Sequence, residues 1–178
     1  MELETKRLIL RELTIKDIED LHIIFSDAES MKYYPKTFNL QESKNWIGWN
    51  IENYSTYGFG LWGVILKECN KLIGDCGITM QKINGKMEPE IGYHINKKYV
   101  NKGYATEAAT ACRNYAFEVL KLKEIYSYMK YTNIASIKVA ENVGMKLINE
   151  LKDDKNGKTK IYAINLEEYM KMVNHCGI

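Results

Sequence analysis

Residues Tyr99 to Ala109 read YVNKGYATEAA. The segment starts as a polar loop around one glycine, Gly103, and runs into the first turn of an alanine-rich helix. A helix start leaves its first backbone N–H groups without intrahelical partners, and the helix dipole adds positive potential there. That combination suits a phosphate. The loop carries neither GxxxxGK[ST] nor GxGxxG, the patterns of the common nucleotide-phosphate loops. Lys102 places a positive charge beside the glycine. The surrounding chain decides which anion is meant.

The bulk numbers narrow the choice. The chain has 178 residues, 46% of them hydrophobic, and a net charge of +2. It fits one domain with a real core, and no charge excess calls for nucleic acid or a membrane surface. No apolar run approaches the roughly 18 residues of a membrane span. The opening MELETKRLILREL alternates charged and apolar residues, unlike a secretory signal. Cys69, Cys76, Cys112 and Cys176 show no CxxC spacing, and His22, His94 and His175 lie far apart, so no metal site is expected. The expected setting is the reducing cytoplasm.

Outward from the loop, the elements alternate. EIGYHI (Glu90–Ile95) precedes it as the fourth predicted strand. Before that, LWGVIL (Leu61–Leu66) and LIGDCGITM (Leu72–Met80) form a strand pair, and Asn84-Gly85 marks a tight turn. At the start, RLILREL (Arg7–Leu13) reads as a strand. A helix follows from Thr14, with Ile15, Ile18, Leu21, Ile24 and Phe25 on one face. Leu40 to about Tyr54 reads as a second helix, broken by Gly58 and Gly60. After the loop, Ala105, Ala108, Ala109, Cys112, Tyr115, Ala116 and Val119 recur at helical spacing. EIYSYMK (Glu124–Lys130) is a fifth strand, and Asn133–Asn142 a short helix ended by Gly144. A last hairpin turns at Asn156-Gly157, and a helical tail begins near Glu167. The run of hairpins excludes a purely parallel sheet, while one strand–helix–strand crossover joins the fourth strand to the fifth. The expected fold class is mixed α/β (α+β) with a mostly antiparallel central sheet.

The loop with its flanking strand and helix resembles motif A of the GNAT N-acetyltransferase superfamily, Arg/Gln-x-x-Gly-x-Gly/Ala. Gly103 and Ala105 match its last two defined positions, whereas Val100 departs at the first. GYATEA, the opening ETKRLILREL, EIGY at Glu90–Tyr93 and NIASIKVAENVGM at Asn133–Met145 resemble the branch that includes ribosomal-protein N-terminal alanine acetyltransferases. The resemblance runs from Glu4 to Leu166. It implies a single acetyltransferase domain over residues 1–178. In that domain 1–57 shapes the acceptor site, 58–131 holds acetyl-CoA, and 132–178 adds an acceptor-side helix, hairpin and tail. Strands four and five should splay to admit the cofactor. Val100, Asn101, Lys102, Gly103, Tyr104, Ala105 and Thr106 would surround the pyrophosphate. The backbone of Tyr93, His94 and Ile95, with Asn133 and Ser136, would hold the pantetheine arm.

Acetyl transfer from a thioester to an amine needs a base for the ammonium, a donor for the carbonyl oxygen and a donor for the leaving thiolate. Glu90, at the start of the fourth strand, is the candidate base. Ser136 is the candidate donor to the sulfur, because Ala140 stands where many family members carry a tyrosine acid. The His94 side chain is expected to point away from the cofactor, and Asn133 serves equally well as a helix cap. Glu107 suits the helix dipole without a catalytic role. No cysteine stands out as an acyl carrier, so transfer should be direct, in a ternary complex. Tyr33, Tyr34, Trp46 and Trp49 are candidates to line the acceptor site, for a protein N-terminus or a small amine. The oligomeric state implied by the family is a monomer or homodimer. A non-catalytic acyl-CoA-binding module on the same fold is the competing reading, motivated by Val100 and Ala140.

Overall fold

The computed structural model describes residues 2–153 and 157–175. Asn156 of the predicted turn and Cys176 lie outside them. In chain order the elements are β1 (Glu2–Glu4), β2 (Leu8–Arg11), α1 (Ile18–Phe25), α2 (Leu40–Tyr57), β3 (Leu61–Leu66), β4 (Lys71–Ile83) and β5 (Lys86–Ile95). There follow α3 (Tyr104–Glu118), β6 (Glu124–Lys130), α4 (Ile134–Asn142), β7 (Lys146–Asp153), β8 (Gly157–Asn165) and α5 (Leu166–His175). The strands form one eight-stranded sheet in the order β1-β2-β3-β4-β5-β6-β8-β7. Every neighbouring pair is antiparallel except β5–β6.

Local chemistry explains most boundaries. Asn39 caps α2 by accepting from the Glu42 amide at 2.9 Å, while Glu42 accepts from the Asn39 amide at 2.8 Å, a reciprocal capping box. Gly58 ends the same helix in the left-handed conformation, φ 76°. All six residues of β3 are buried, as an apolar run with helices on both faces must be. Ala108, Ala109, Cys112 and Ala116 of α3 are fully buried against the sheet, their small side chains letting the helix lie close. With Trp62, Cys76, Ile78 and Ile91 they make the larger core. On the opposite sheet face, Leu21, Ile24, Phe25 and Ile47 of α1 and α2 pack on Ile65 and Leu72.

Several expectations are corrected. Glu2–Glu4 adds a strand that pairs with β2. Ile15 belongs to a single 3-10 turn before α1 and is exposed rather than on the buried face. Val119, at the C-terminal cap of α3, is likewise exposed. The β5–β6 pairing that closes the crossover has a single register, Glu90 opposite Tyr126. The two strands then diverge, which is the expected splay, and the seam opens beyond Glu90.

Candidate active site

Two features meet at the mouth of this seam. The first is the loop after β5. Asn101 (φ 60°) and Gly103 (φ 80°) both adopt left-handed backbone and curl the chain into α3. The first intrahelical bond runs from the Glu107 amide to the Gly103 carbonyl at 3.0 Å. The amides of Tyr104, Ala105 and Thr106 therefore precede the helix's own bonding and form a donor cluster. A Cβ at Gly103 would find only the Arg7 Nη2 atom, at 3.4 Å, so conformation rather than crowding requires glycine there. Tyr104 buries its side chain, leaving its amide for the loop. Lys102 lies with its ammonium 5.6 Å from the centre of the Tyr99 ring. This cradle fits a pyrophosphate by donor number, dipole sign and positive charge.

Arg7 braces the loop from behind. Its Nη1 donates to the Lys102 carbonyl at 2.9 Å, and its guanidinium stacks 4.4 Å from the centre of the Tyr104 ring. Glu107 holds Arg7 by accepting from its amide at 2.8 Å and from Nε at 2.6 Å, and it also accepts from the Thr5 hydroxyl at 2.7 Å. Burial works to raise the Glu107 pKa, but the hydrogen bonds from Thr5 and Arg7 outweigh it and leave the carboxyl below its usual range. The dipole reading of Glu107 was thus incomplete: it ties the N-terminal segment to the loop. Arg7→Gln should weaken acetyl-CoA binding about tenfold in a calorimetric titration, the loss of a charge-assisted contact that sets the loop. Unchanged affinity would make Arg7 a purely structural residue.

The second feature lies on the sheet face toward α1 and α2. Residues alternate faces along a strand. Asp75, Gly77 and Thr79 of β4 therefore share this face with Glu90, Gly92 and His94 of β5, with Asp75 opposite His94 and Thr79 opposite Glu90. Glu90 is buried, and burial pushes its carboxyl up to about 8. Hydrogen bonds from the Tyr128 amide and the Thr79 hydroxyl offset only part of that shift. A carboxyl titrating there is matched to proton transfer at neutral pH.

The His94 side chain turns to the face opposite α3, into a polar contact network. Its Nδ1 lies 2.7 Å from Asp75 Oδ1 and its Nε2 lies 2.5 Å from the Tyr34 hydroxyl. Its backbone amide also donates to Asp75 Oδ1, at 3.1 Å. That amide faces β4 and is already used. The Ile91 carbonyl accepts from Ser127 of β6 at 3.2 Å, and alternation places the backbone groups of Tyr93 and Ile95 on the same open edge. The backbone groups facing the seam are therefore those of Tyr93 and Ile95, not of His94.

The remaining candidates separate. Asn133 accepts from the Ser136 amide at 3.2 Å, so its side-chain oxygen caps α4. Ser136 sits in the first turn of that helix, where its carbonyl accepts from the Tyr93 hydroxyl at 3.1 Å. Tyr33 reaches across to donate to the Thr132 carbonyl at 3.3 Å, so the Tyr33–Tyr34 segment touches both sides of the seam. Trp46 is anchored inward, its Nε1 donating to Asp75 Oδ2 at 2.9 Å and its ring packed on Phe25, Phe38 and His94. The Trp49 ring lies 5.3 Å from that of Trp46, tilted by 47°. Tyr54 is a staple of the scaffold, accepting from the Leu13 amide at 3.1 Å and donating to the Leu61 carbonyl. Cys76 and Cys112 are fully buried with sulfurs 3.6 Å apart, and burial holds the Cys76 thiol well above its usual range, which leaves it unreactive. Among the described residues, no three His, Cys, Asp or Glu side chains gather as a metal cluster, and no helix is long and apolar enough to cross a membrane.

Comparison with known proteins fits this geometry. Residues 7–146 match the model of the Acetyltransferase (GNAT) domain. YnaD of Bacillus subtilis strain 168, an uncharacterized N-acetyltransferase, is 35% identical over 151 residues, covering 82% of this chain and 83% of its own. The crystal structure of a GNAT-family acetyltransferase from Bacillus anthracis superposes with a TM-score of 0.81 at 34% identity, over 94% of this chain and 99% of that one. The fold is also shared, at 15% identity and a TM-score of 0.78, by RimL, the ribosomal L7/L12 alpha-N-protein acetyltransferase solved with coenzyme A, over 94% of this chain and 99% of RimL. An acetyltransferase domain matched over most of the chain, with a cluster of helix-start amides at the head of an open strand seam, makes this protein a member of the GNAT family and an N-acetyltransferase.

Proposed function

We propose that the protein transfers an acetyl group directly from acetyl-CoA to the α-amine of a peptide or protein N-terminus, within a ternary complex. The observation that carries this reading is Glu90, a carboxyl titrating at about 8 on the acceptor face where the seam begins. Acetyl-CoA supplies the activated thioester. The amides of Tyr104, Ala105 and Thr106 hold its pyrophosphate, and the open backbone edge at Tyr93 and Ile95 aligns its arm along β5. Glu90 removes a proton from the ammonium. Ser136, at the start of α4, donates to the departing sulfur.

The acceptor class follows from pKa matching. An α-amino group has a pKa of ~7.7–8.0 and a lysine amine ~10.4. A base near 8 deprotonates the first at little cost and the second poorly. The aromatic segment Tyr33–Tyr34 over the seam suits a peptide backbone. A small-molecule amine is the competing acceptor. The test measures thiol release with a panel of Ala- and Ser-starting peptides against polyamines and aminoglycosides. Turnover confined to the peptides supports the proposal, and turnover confined to the small amines replaces it. Acetyl-CoA binding without turnover on any amine would favour a regulatory acyl-CoA module.

A further inference from the structure

Asp75 is fully buried and collects three donors: His94 Nδ1, the His94 amide and Trp46 Nε1. A carboxylate only accepts, so the contact at 2.7 Å puts the ring proton of His94 on Nδ1. Nε2 then presents a lone pair, and the Tyr34 hydroxyl donates to it across 2.5 Å. Tyr34 as a residue is 38% exposed while its hydroxyl is turned inward onto His94, so this contact network runs from a buried carboxylate to a phenol at the edge of the cleft. Burial of the hydroxyl, with Asp75 and Glu90 nearby, holds the Tyr34 pKa above the usual tyrosine range. Tyr34 is therefore a neutral phenol with its proton already directed at His94.

We propose that Tyr34, His94 and Asp75 form a proton relay at the acceptor site. In it the Tyr34 oxygen receives a proton from the acceptor nitrogen as the Tyr34 proton passes to His94 Nε2. The proposal rests on the amine lying in the cleft between Glu90 and Tyr34, as the proposed function has it.

The chemistry leaves room for a second acceptor of protons. An alkylammonium loses two N–H protons on its way to an amide. One ends on the coenzyme A sulfur and the other leaves to solvent. As the C–N bond forms and the C–S bond breaks, Glu90 takes one of the two, and its later release makes good, through water, the proton that Ser136 gives to the sulfur. The relay takes the other: it passes to Tyr34, the Tyr34 proton moves to His94, and the imidazolium is held beside Asp75. The return step passes it back through the Tyr34 oxygen to water that enters the cleft once the products leave. The titratable groups facing His94 are Asp75 from β4 and Tyr34 from the α1–α2 connection, with Glu90 on β5 itself. The α1 and α2 helices present Phe25 and Trp46, which do not titrate. Tyr34 is the catalytic member, and His94 and Asp75 act through it.

Tyr34→Phe removes only the hydroxyl, at a partly exposed ring. Expected are an approximately tenfold fall in kcat, at the low end of what acid–base partners contribute, and an unchanged KM for acetyl-CoA. Partial recovery with imidazole in the buffer is also expected. His94→Gln should lose the same factor, and the double variant no more than either single one. An unchanged kcat, a change confined to KM, or multiplied losses in the double variant would overturn the relay. A nitrogen-resolved NMR spectrum of the wild-type imidazoles tests it without any acceptor: the Nδ1–H form of His94 is expected, and an Nε2–H form refutes the proposal. Failure of the relay leaves acetyl-CoA binding and peptide turnover intact, whereas failure of the proposed function abolishes the turnover itself.

Discussion

Glu90→Gln should remove most turnover and at the same time make the protein more stable in alkali. The Glu90 carboxyl is lifted by burial from an ordinary 4.5 to about 8. Between these values the folded protein keeps a proton that the unfolded chain has released, so the wild type loses stability as pH climbs from about 4.5 and stops losing it above about 8. Glutamine never ionises. It can still accept from the Tyr128 amide and offer its NH2 to Thr79. The variant should match the wild type in urea melts at pH 4 and exceed it at pH 9 by on the order of a few kcal/mol. Its kcat should fall by ~10²–10⁴, the range for a lost general base. An inactive variant with no alkaline gain would mean that Glu90 is ionised in the folded state. A fully active variant would move the deprotonation elsewhere.

Gly103→Val should raise the dissociation constant for acetyl-CoA about a hundredfold. Gly103 has φ 80°, where a β-branched residue is strained by ~1–2 kcal/mol. Relieving that strain turns the first amides of α3 away from the pyrophosphate, and a charge-assisted hydrogen bond is worth ~1.5–3 kcal/mol. Together these correspond to ~10² or more in affinity. Gly103→Ala should sit between, about tenfold weaker than wild type, because it meets the same φ without the β-branch. Calorimetry measures both, with far-UV circular dichroism confirming that α3 persists. Wild-type affinity in the valine variant would place the pyrophosphate elsewhere.

The parts of this fold that were legible in the sequence are those fixed by neighbours in the chain. The α2 helix from Leu40 with its break at Gly58, the Asn84-Gly85 turn and the alanine face of α3 are each determined within a few residues. So is the glycine loop, whose left-handed backbone and helix start are local properties. What stayed hidden depends on partners far along the chain. Strand β1 has three residues and exists because Leu3 finds Leu10. Arg7 meets Glu107 across a separation of 100 residues. Trp46, a candidate for the acceptor site, gives its indole N–H to Asp75 of β4, a partner 29 residues away. Asp75 itself left one trace, a lone carboxylate inside the apolar run LIGDCGITM. A carboxylate buried there must be hydrogen-bonded, and its donors come from the adjacent strand and from α2. The opening between β5 and β6 was expected from family resemblance alone, since no local pattern encodes where two strands part.

That opening changes how the sheet behaves as a mechanical object. Backbone pairing joins its five-stranded half, β1 to β5, to its three-stranded half, β6 to β8, at one register position. Such a joint resists shear well and torsion poorly, so the ladder leaves the angle between the halves weakly fixed. A thioester arm lying along Tyr93 and Ile95, as proposed, would stand in for the absent rungs and stiffen the whole. By mass action it should add about 2.7 kcal/mol at a concentration of 100 Kd. The proposed acceptor cleft would straddle the joint, since Tyr33 and Tyr34 contact opposite sides of it. Its shape is thereby tied to the first ligand, which gives a structural reason for acetyl-CoA to bind before the amine.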